Sequence, residues 1–402
     1  MKYDFETIID RRGKDAIAID GIGSHQGFSP EAPVNGMDAI PMWVADMNFA
    51  TVPTVQEEMI KRVQHPCFGY FNPTKEYYDS IIRWHKIRNG VEGLKPENIG
   101  YDNGVLGGVV SALNVLCSKG DEILIHSPTY VGFTHSLKNN GYQAVDSPLY
   151  LDEDNIWRMD YEDMEKKIVE HHLHTAIFCS PYNPSGRVWE REELEKMMAI
   201  FEKHHVWVVD DEIWSDLILE GHKHIPLQSV SDYAKMHTIS FYAPSKTFNL
   251  AGLVGSYHIV YNEWLRDRIS KESSLCHYNE MNVLWMHALI GAYKDEGYEW
   301  VDELNQVLTK NVNYAYDHIV KNYEGIKVGR PQGTYMLFLH CEDYCKAHNM
   351  TTKELIQKGW DVGVSWQEGT WFKDPWGIRL NLASPYSRIV EAFDRLDRYV
   401  FD

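Results

Sequence analysis

Three side chains of unlike chemistry follow directly on three apolar runs. Residues 175–179 (TAIFC) lead into SPYNPSGRVW and so to Asn183. Residues 206–210 (VWVVD) lead at once to Asp211, and residues 238–242 (TISFY) lead through Pro244 to Lys246. An amine held at the mouth of an apolar element is a candidate Schiff-base nucleophile, because partial desolvation lowers its pKa and frees its lone pair. Alone, Lys246 would read as one surface lysine among 39 basic residues. Its company changes that. In an open, mostly parallel α/β sheet, ligands sit outside the carboxyl ends of the strands. Three successive strands would therefore deliver an amide, a carboxylate and an amine to one edge.

Further groups could join them. Residues 102–108 (DNGVLGG) open a helix with Val109, Val110, Leu113, Leu116 and Cys117 as its apolar positions. The entry at Gly104, Val105 and Leu106 would present free backbone N–H groups at the positive end of a helix dipole, which favours an anion. The pattern is neither G-x-G-x-x-G nor a P-loop, and glycine also serves plain turns. Arg379 lies in the apolar run GIRLNLA, where an unpaired guanidinium is expensive. It reads either as half of a buried ion pair or as a fork that takes a carboxylate bidentately. Tyr130, in SPTYVGF, either packs its loop or offers a stacking face. Amine, carboxylate and amide together are complementary to pyridoxal phosphate: an amine for its aldehyde, an acid for the ring nitrogen, an amide for the phenolic oxygen.

The elements that must position these groups follow from periodicity. Residues 52–63 read as a helix with Val55, Met59 and Val63 on one face, and 76–89 as another with Ile81, Ile82 and Trp84 apolar. Leu194, Met197, Met198 and Phe201 stand at i, i+3, i+4 and i+7 of a helix over 191–205. That helix joins the Asn183 strand to the Asp211 strand, a βαβ unit that implies parallel pairing. Residues 122–126 and 254–260 are also strand-like. Residues 1–40 read as an extended arm, and 41–49 (PMWVADMNF) as a buried connection or a substrate-side loop. Residues 68–74 (FGYFNPT) predict only a loop.

From about 290 a smaller unit is expected, with strands near 326–328, 335–340, 362–365 and 378–382. A capping box at Thr351-x-x-Glu354 opens a helix that stops at Gly359, and Ile389, Phe393, Leu396 and Val400 form the stripe of a last helix. The expected fold class is α/β: a large domain over 50–290 with a mostly parallel central sheet flanked by helices, and a smaller α+β domain from 1–49 and 291–402.

With PMWVADMNF, FGYFNPTKEYY, SPTYVGF, SPYNPSGRVW, DDEIWSDL, APSKTFNLAGL and GIRLNLASP in this order, the chain resembles the fold-type I pyridoxal-phosphate enzymes of the class I/II aminotransferase superfamily. Within it, the chain looks most like the cystathionine β-lyase and cystalysin-like C–S lyases. The resemblance covers essentially the whole chain. It implies that Lys246 carries the cofactor and moves the Cα proton, that Asp211 keeps the ring nitrogen charged, and that Asn183 and Tyr130 orient the ring. It also implies that Gly104, Val105, Leu106 and Ser245 hold the phosphate, that Trp214 lies on the cofactor, and that Tyr70 reaches the phosphate of a neighbouring subunit in a homodimer with shared sites. Arg379, Trp43, Asp46 and Tyr182 are then substrate residues.

The chain departs from the family at Val131, where many relatives carry a second tyrosine. It departs again at Tyr182 and Trp214, where C–S lyases usually carry histidine, so the pocket is expected to be less polar. The implied activity is a β-lyase releasing pyruvate, ammonia and a thiol. The same constellation also serves an aminotransferase, and a non-catalytic regulatory protein on this fold is the alternative of another class.

Composition bounds these readings. A length of 402 residues with 44% hydrophobic content suffices for large cores, and a formal charge of −19 argues against nucleic-acid or anionic membrane partners. The charged start MKYDFETIIDRRGKD does not read as a signal peptide, no apolar run suits a membrane span, and no DNA-binding domain is expected ahead of the enzyme-like region. Cys67, Cys117, Cys179, Cys276, Cys341 and Cys345 are irregularly spaced, which fits a reduced cytoplasm. His171-His172-Leu173-His174 and His340, Cys341, Cys345, His348 match no zinc spacing, so no metal is expected.

Overall fold

A computed structural model gives the structure of the chain and describes every residue except 35, 276–278 and 402; Cys276 therefore lies outside the described residues. A seven-stranded sheet runs in the order Ile99–Asp102, Ser256–Ile259, Thr238–Tyr242, Trp207–Asp211, Thr175–Cys179, Glu122–Ile125, Gln143–Asp146. All pairings are parallel except the two made by Ser256–Ile259. Every residue of the Thr175–Cys179 and Thr238–Tyr242 strands is buried, the pattern of a parallel sheet covered on both faces. Cys179 is level with Asp211, and Asp211 with Phe241. The three central strands thus end together.

The crossover helix forms at Arg191–His204, opened by a Glu190/Glu193 capping box and burying Leu194, Met197, Met198 and Phe201. The Val105–Leu116 helix packs close to the sheet because Gly108 has no side chain; a Cβ there would lie 2.3 Å from the Phe241 ring.

A second, antiparallel sheet orders Lys327–Val328, Met336–His340, Gly377–Asn381 and Gln367–Glu368. Two expectations need correction. The segment expected as a strand over 362–365 is extended only at Val364–Ser365, and it pairs in parallel with Ile40–Pro41 rather than joining this sheet. Backbone bonds from Ile40 to Gly363 and from Met42 to Ser365 hold the two together. The helix opened by the Thr351/Glu354 capping box runs on to Asp361. Gly359 is interior to it because the Trp366 ring occupies the space, 2.3 Å from where a Cβ would stand.

The N-terminal arm is wrapped onto the body: Phe5 is buried, with its ring centroid 5.3 Å from that of Phe49. An element the periodicity reading passed over, Asp295–Asn322, is a 28-residue helix burying Trp300, Leu304, Leu308 and Val312. Among the described residues no helix is long and apolar enough to cross a membrane.

Candidate active site

At the carboxyl edge of the central strands lies a cavity of about 210 Å³, lined by Asn183, Asp211, Trp214, Lys246, Ser245, Tyr130 and the Gly104–Gly107 turn, among others. Gly104 holds φ +75° as it enters the Val105–Leu116 helix. The N–H groups of a helix's first turn have no partner inside it. At Gly107 a Cβ would meet nothing within 4 Å, so this turn faces open space. With the Ser245 hydroxyl alongside, it is chemically an anion seat.

Asp211 is 4% exposed, and its Oδ1 accepts from the Ile213 N–H at 3.0 Å. Burial pushes its carboxyl up to about 7, with the Lys246 charge pulling the other way. Lys246 donates from Nζ to the Ala45 carbonyl at 2.7 Å and stands 5.7 Å from the centre of the Trp214 ring. Burial first, and then the Arg379 charge, lowers its amine to about 8, while Asp46 and Asp211 oppose the shift.

Arg379 is 3% exposed. Its Nη1 donates to Asn183 Oδ1 at 3.3 Å, and its Nη2 donates to the Trp43 carbonyl at 2.7 Å and Gln367 Oε1 at 2.6 Å. Its Nε has no partner among the described residues, and burial lowers its pKa to about 10. Of the two sequence readings, the in-chain ion pair is absent among the described residues. A buried guanidinium held by neutral oxygens and the Phe372 ring, 4.5 Å away, leaves its charge for an anionic ligand. The Tyr130 ring sits edge-on to Phe133 at 5.4 Å, in a seat open only because residue 132 is glycine: a Cβ would fall 2.4 Å from the ring.

The remaining expected residues divide. Trp214 lines the cavity, edge-on to Tyr335 at 4.8 Å. Trp43 contributes its carbonyl to Arg379, while its indole donates to the Ala18 carbonyl at 3.0 Å. The Asp46 carboxylate is bound at 2.6 Å by Arg11 of the N-terminal arm. Tyr182 does not line the cavity. Its hydroxyl donates to the His126 carbonyl at 2.5 Å and its ring packs on Trp189, so the expected substrate contact finds no support in its position. Tyr70 is wholly exposed, away from the cavity of its own chain.

Several residues that shape the site were not anticipated. Asn249 accepts from the Met47 N–H at 3.0 Å and donates to the Met47 carbonyl at 2.8 Å. Asn381 donates to the Val44 and Asp46 carbonyls, and the Tyr335 hydroxyl donates to that of Ala45 at 3.1 Å. Together they hold the 43–47 segment over Lys246. Asn381 stands two residues from Arg379 on one strand face, a signal that alternation offers; Gln367 and Tyr335 carried none.

Comparison with known proteins finds relatives in sequence and in fold. The chain is 33% identical over 355 residues to cystathionine beta-lyase PatB of Bacillus subtilis, covering 88% of this chain and 89% of the relative. Cystalysin from Treponema denticola, solved with pyridoxal 5'-phosphate, superposes with a TM-score of 0.89 at 31% identity over 99% of this chain and 98% of its own. The pyridoxal-phosphate-bound C–S lyase from Staphylococcus hominis gives 0.88 at 28% identity, over 100% and 99%. The family model of aminotransferase class I and II matches residues 38–396. This chain belongs to the aminotransferase class I and II family.

Proposed function

We propose that the chain is a pyridoxal-phosphate-dependent C–S β-lyase acting on cysteine-type substrates such as cystathionine. One observation carries the cofactor: Asp211, a buried carboxyl with no ion pair among the described residues, lies in one cavity with a lysine of lowered pKa and a helix-entry anion seat. That donor set fits a protonated pyridine, an aldehyde and a phosphate. Support for lyase chemistry comes from the relatives named above.

Bound here, pyridoxal phosphate supplies an electron sink for the pair left on Cα when its proton leaves. Arg379 takes the α-carboxylate of the amino acid. Lys246 removes the Cα proton at Nζ, a task suited to an amine near 8. The pair on Cα would then form the Cα=Cβ bond as the Cβ–S bond breaks and the sulfur leaves as thiolate with its bonding pair. Asp211 keeps the proton on the ring nitrogen. Asn183, whose Oδ1 already accepts from Arg379, would turn its amide N–H, which meets no acceptor among the described residues, to the ring's phenolic oxygen. The N–H groups of 104–107 and Ser245 would hold the phosphate, and Tyr130 would offer its ring face to the cofactor. Trp214 and Tyr335 make an aromatic wall beside Lys246, which favours an apolar sulfur substituent.

The working unit in this reading is a homodimer in the cytoplasm. The exposed Tyr70, with Phe68, Ile60 and Val63 also exposed nearby in sequence, reaches the phosphate held by the partner. Residues 50–290 act as the cofactor unit and 1–49 with 291–402 as the smaller unit. The test is incubation with cystathionine while following pyruvate and the pyridoxamine form separately. Pyruvate release without accumulation of the pyridoxamine form is expected. Rapid amino exchange with 2-oxo acids, and no pyruvate or thiol from cystathionine or cystine, would make it an aminotransferase instead.

A further inference from the structure

At the opposite, amino-terminal edge of the same strands, three side chains with lone pairs converge. Cys117 follows the Val105–Leu116 helix, Asp121 precedes the Glu122–Ile125 strand, and His174 precedes Thr175–Cys179. Their ligand atoms all lie within 4.8 Å of one another, with His174 Nε2 at 3.3 Å from Asp121 Oδ2. Around a tetrahedral zinc, with bonds of about 2.0–2.3 Å, ligand atoms stand roughly 3.3–3.8 Å apart. Side-chain rotation of these partly exposed groups closes the difference. We propose that Cys117, Asp121 and His174 form a Zn²⁺ site, with water at the fourth position.

The supporting residue is Thr175. Its fully buried hydroxyl lies 3.3 Å from Cys117 Sγ and 3.0 Å from His174 Nδ1. A hydroxyl has one proton to donate and lone pairs to accept with. It can accept from the His174 Nδ1–H, leaving Nε2 bare for a metal, and donate to a Cys117 thiolate. This is how outer partners fix a metal-ligating imidazole. Asp121 Oδ2 also accepts from the Ser118 N–H at 2.7 Å, which orients the carboxylate.

Thiolate with imidazole selects zinc over magnesium or calcium. Binding displaces the thiol proton to solvent, and nothing is oxidised or reduced. The pattern escaped the sequence because only His174 belongs to the histidine cluster there. Its cluster neighbour His171 is engaged at 2.9 Å by Glu122. The ion would clip the end of the helix that starts at the anion turn to the start of the Asn183 strand.

The test uses holoenzyme freed of metal, titrated with ZnCl₂ by calorimetry, and with CdCl₂ while the ultraviolet thiolate-to-cadmium charge-transfer band is followed. One zinc per chain and a cadmium band are expected. Cys117→Ser should abolish the band, and His174→Ala should weaken binding at least as much as Thr175→Val. Thr175→Val keeps the shape, loses the hydroxyl and should weaken zinc about 10–100-fold. Cys67→Ser, at an exposed thiol, should change nothing. A wild-type chain that takes up no zinc, a band that survives Cys117→Ser, or one lost equally in Cys67→Ser would overturn the proposal.

Discussion

Two buried arginines sit at different stations in this molecule. Arg187 donates to the Trp157 carbonyl at 3.1 Å, to the Val188 carbonyl and Gln332, and pairs with Glu193 and, at 3.3 Å, with Glu190. Arg379 meets neutral oxygens and the Phe372 ring, with no carboxylate beside it and an unpartnered Nε among the described residues. The contrast extends to the acids. Glu212 and Asp216 are each satisfied, Glu212 by His224 and the Leu227 N–H at 2.7 Å, Asp216 by Trp84 and Thr247 at 2.9 Å. Asp211, on the other face of the strand from Glu212, accepts one backbone bond and, among the described residues, forms no ion pair, with only the field of Lys246 acting on it. Both oxygens of Glu212 and of Asp216 thus have a donor within the chain, whereas Asp211 has a donor to one. Charge facing the cavity is left unmatched, and the fold bears that cost where a ligand can relieve it.

The comparison breaks most sharply at Lys246. Lys246→Ala should lower turnover of cystathionine by about 10²–10⁴-fold while the chain stays folded, since no carboxylate loses its partner. Steady-state kinetics alongside circular dichroism read the two effects.

Next come the arginines. Arg187→Met takes one of two arginines from Glu193, which keeps Arg158 at 2.9 Å, and removes the donor to the Trp157 carbonyl; it should cost about 1–3 kcal/mol of stability. Arg379→Met should cost less stability and lower kcat/KM by about 10²–10³-fold, through loss of the carboxylate partner. Denaturation of both variants beside their kinetics checks the pair; equal stability losses would erase the distinction drawn between them.

Asp211 gives a pH signature. Its folded pKa, near 7, lies above the unfolded value of 3.8. The folded state therefore binds the extra proton between those values, and the stability this contributes is present below about pH 4 and lost as pH rises through 7. In the cofactor-free chain, Asp211→Asn should flatten that fall and leave the variant more stable at pH 8, by up to about 4 kcal/mol. Chemical denaturation between pH 4 and 8 measures it, and cofactor affinity should drop in the same variant.

Tyr182 offers the smallest effect. With its hydroxyl on the His126 carbonyl, Tyr182→Phe should cost about 1 kcal/mol of stability and leave kcat/KM for cystathionine unchanged. A changed substrate preference would return Tyr182 to the substrate wall.

Much of this was legible in one dimension. The lysine, acid and amide each stand just past an apolar run, and the helix over 191–204 carries a complete i, i+3, i+4, i+7 stripe. A right-handed crossover then leaves little freedom in where the strand ends fall. Local chemistry also declared the Thr351/Glu354 capping box and the glycine entry at 104. These signals depend on neighbours within one or two helical turns, which sequence preserves.

What sequence left undecided depends on partners far along the chain. Whether Arg379 was an ion pair or a ligand fork could be settled only by finding which groups surround it, and Trp43, Asn183 and Gln367 come from three separate segments. The same holds for Val364–Ser365, whose β partner is Ile40–Pro41, and for Gly359, read as a helix stop until the Trp366 ring explains it. Tyr182 and Trp214 looked alike as aromatic replacements; the fold turned one onto the His126 carbonyl and the other into the cavity. Residue type and spacing determined which chemistry was available and which edge would carry it. Tertiary packing decided which charges were left without a partner, because a charge is compensated through space and not along the chain.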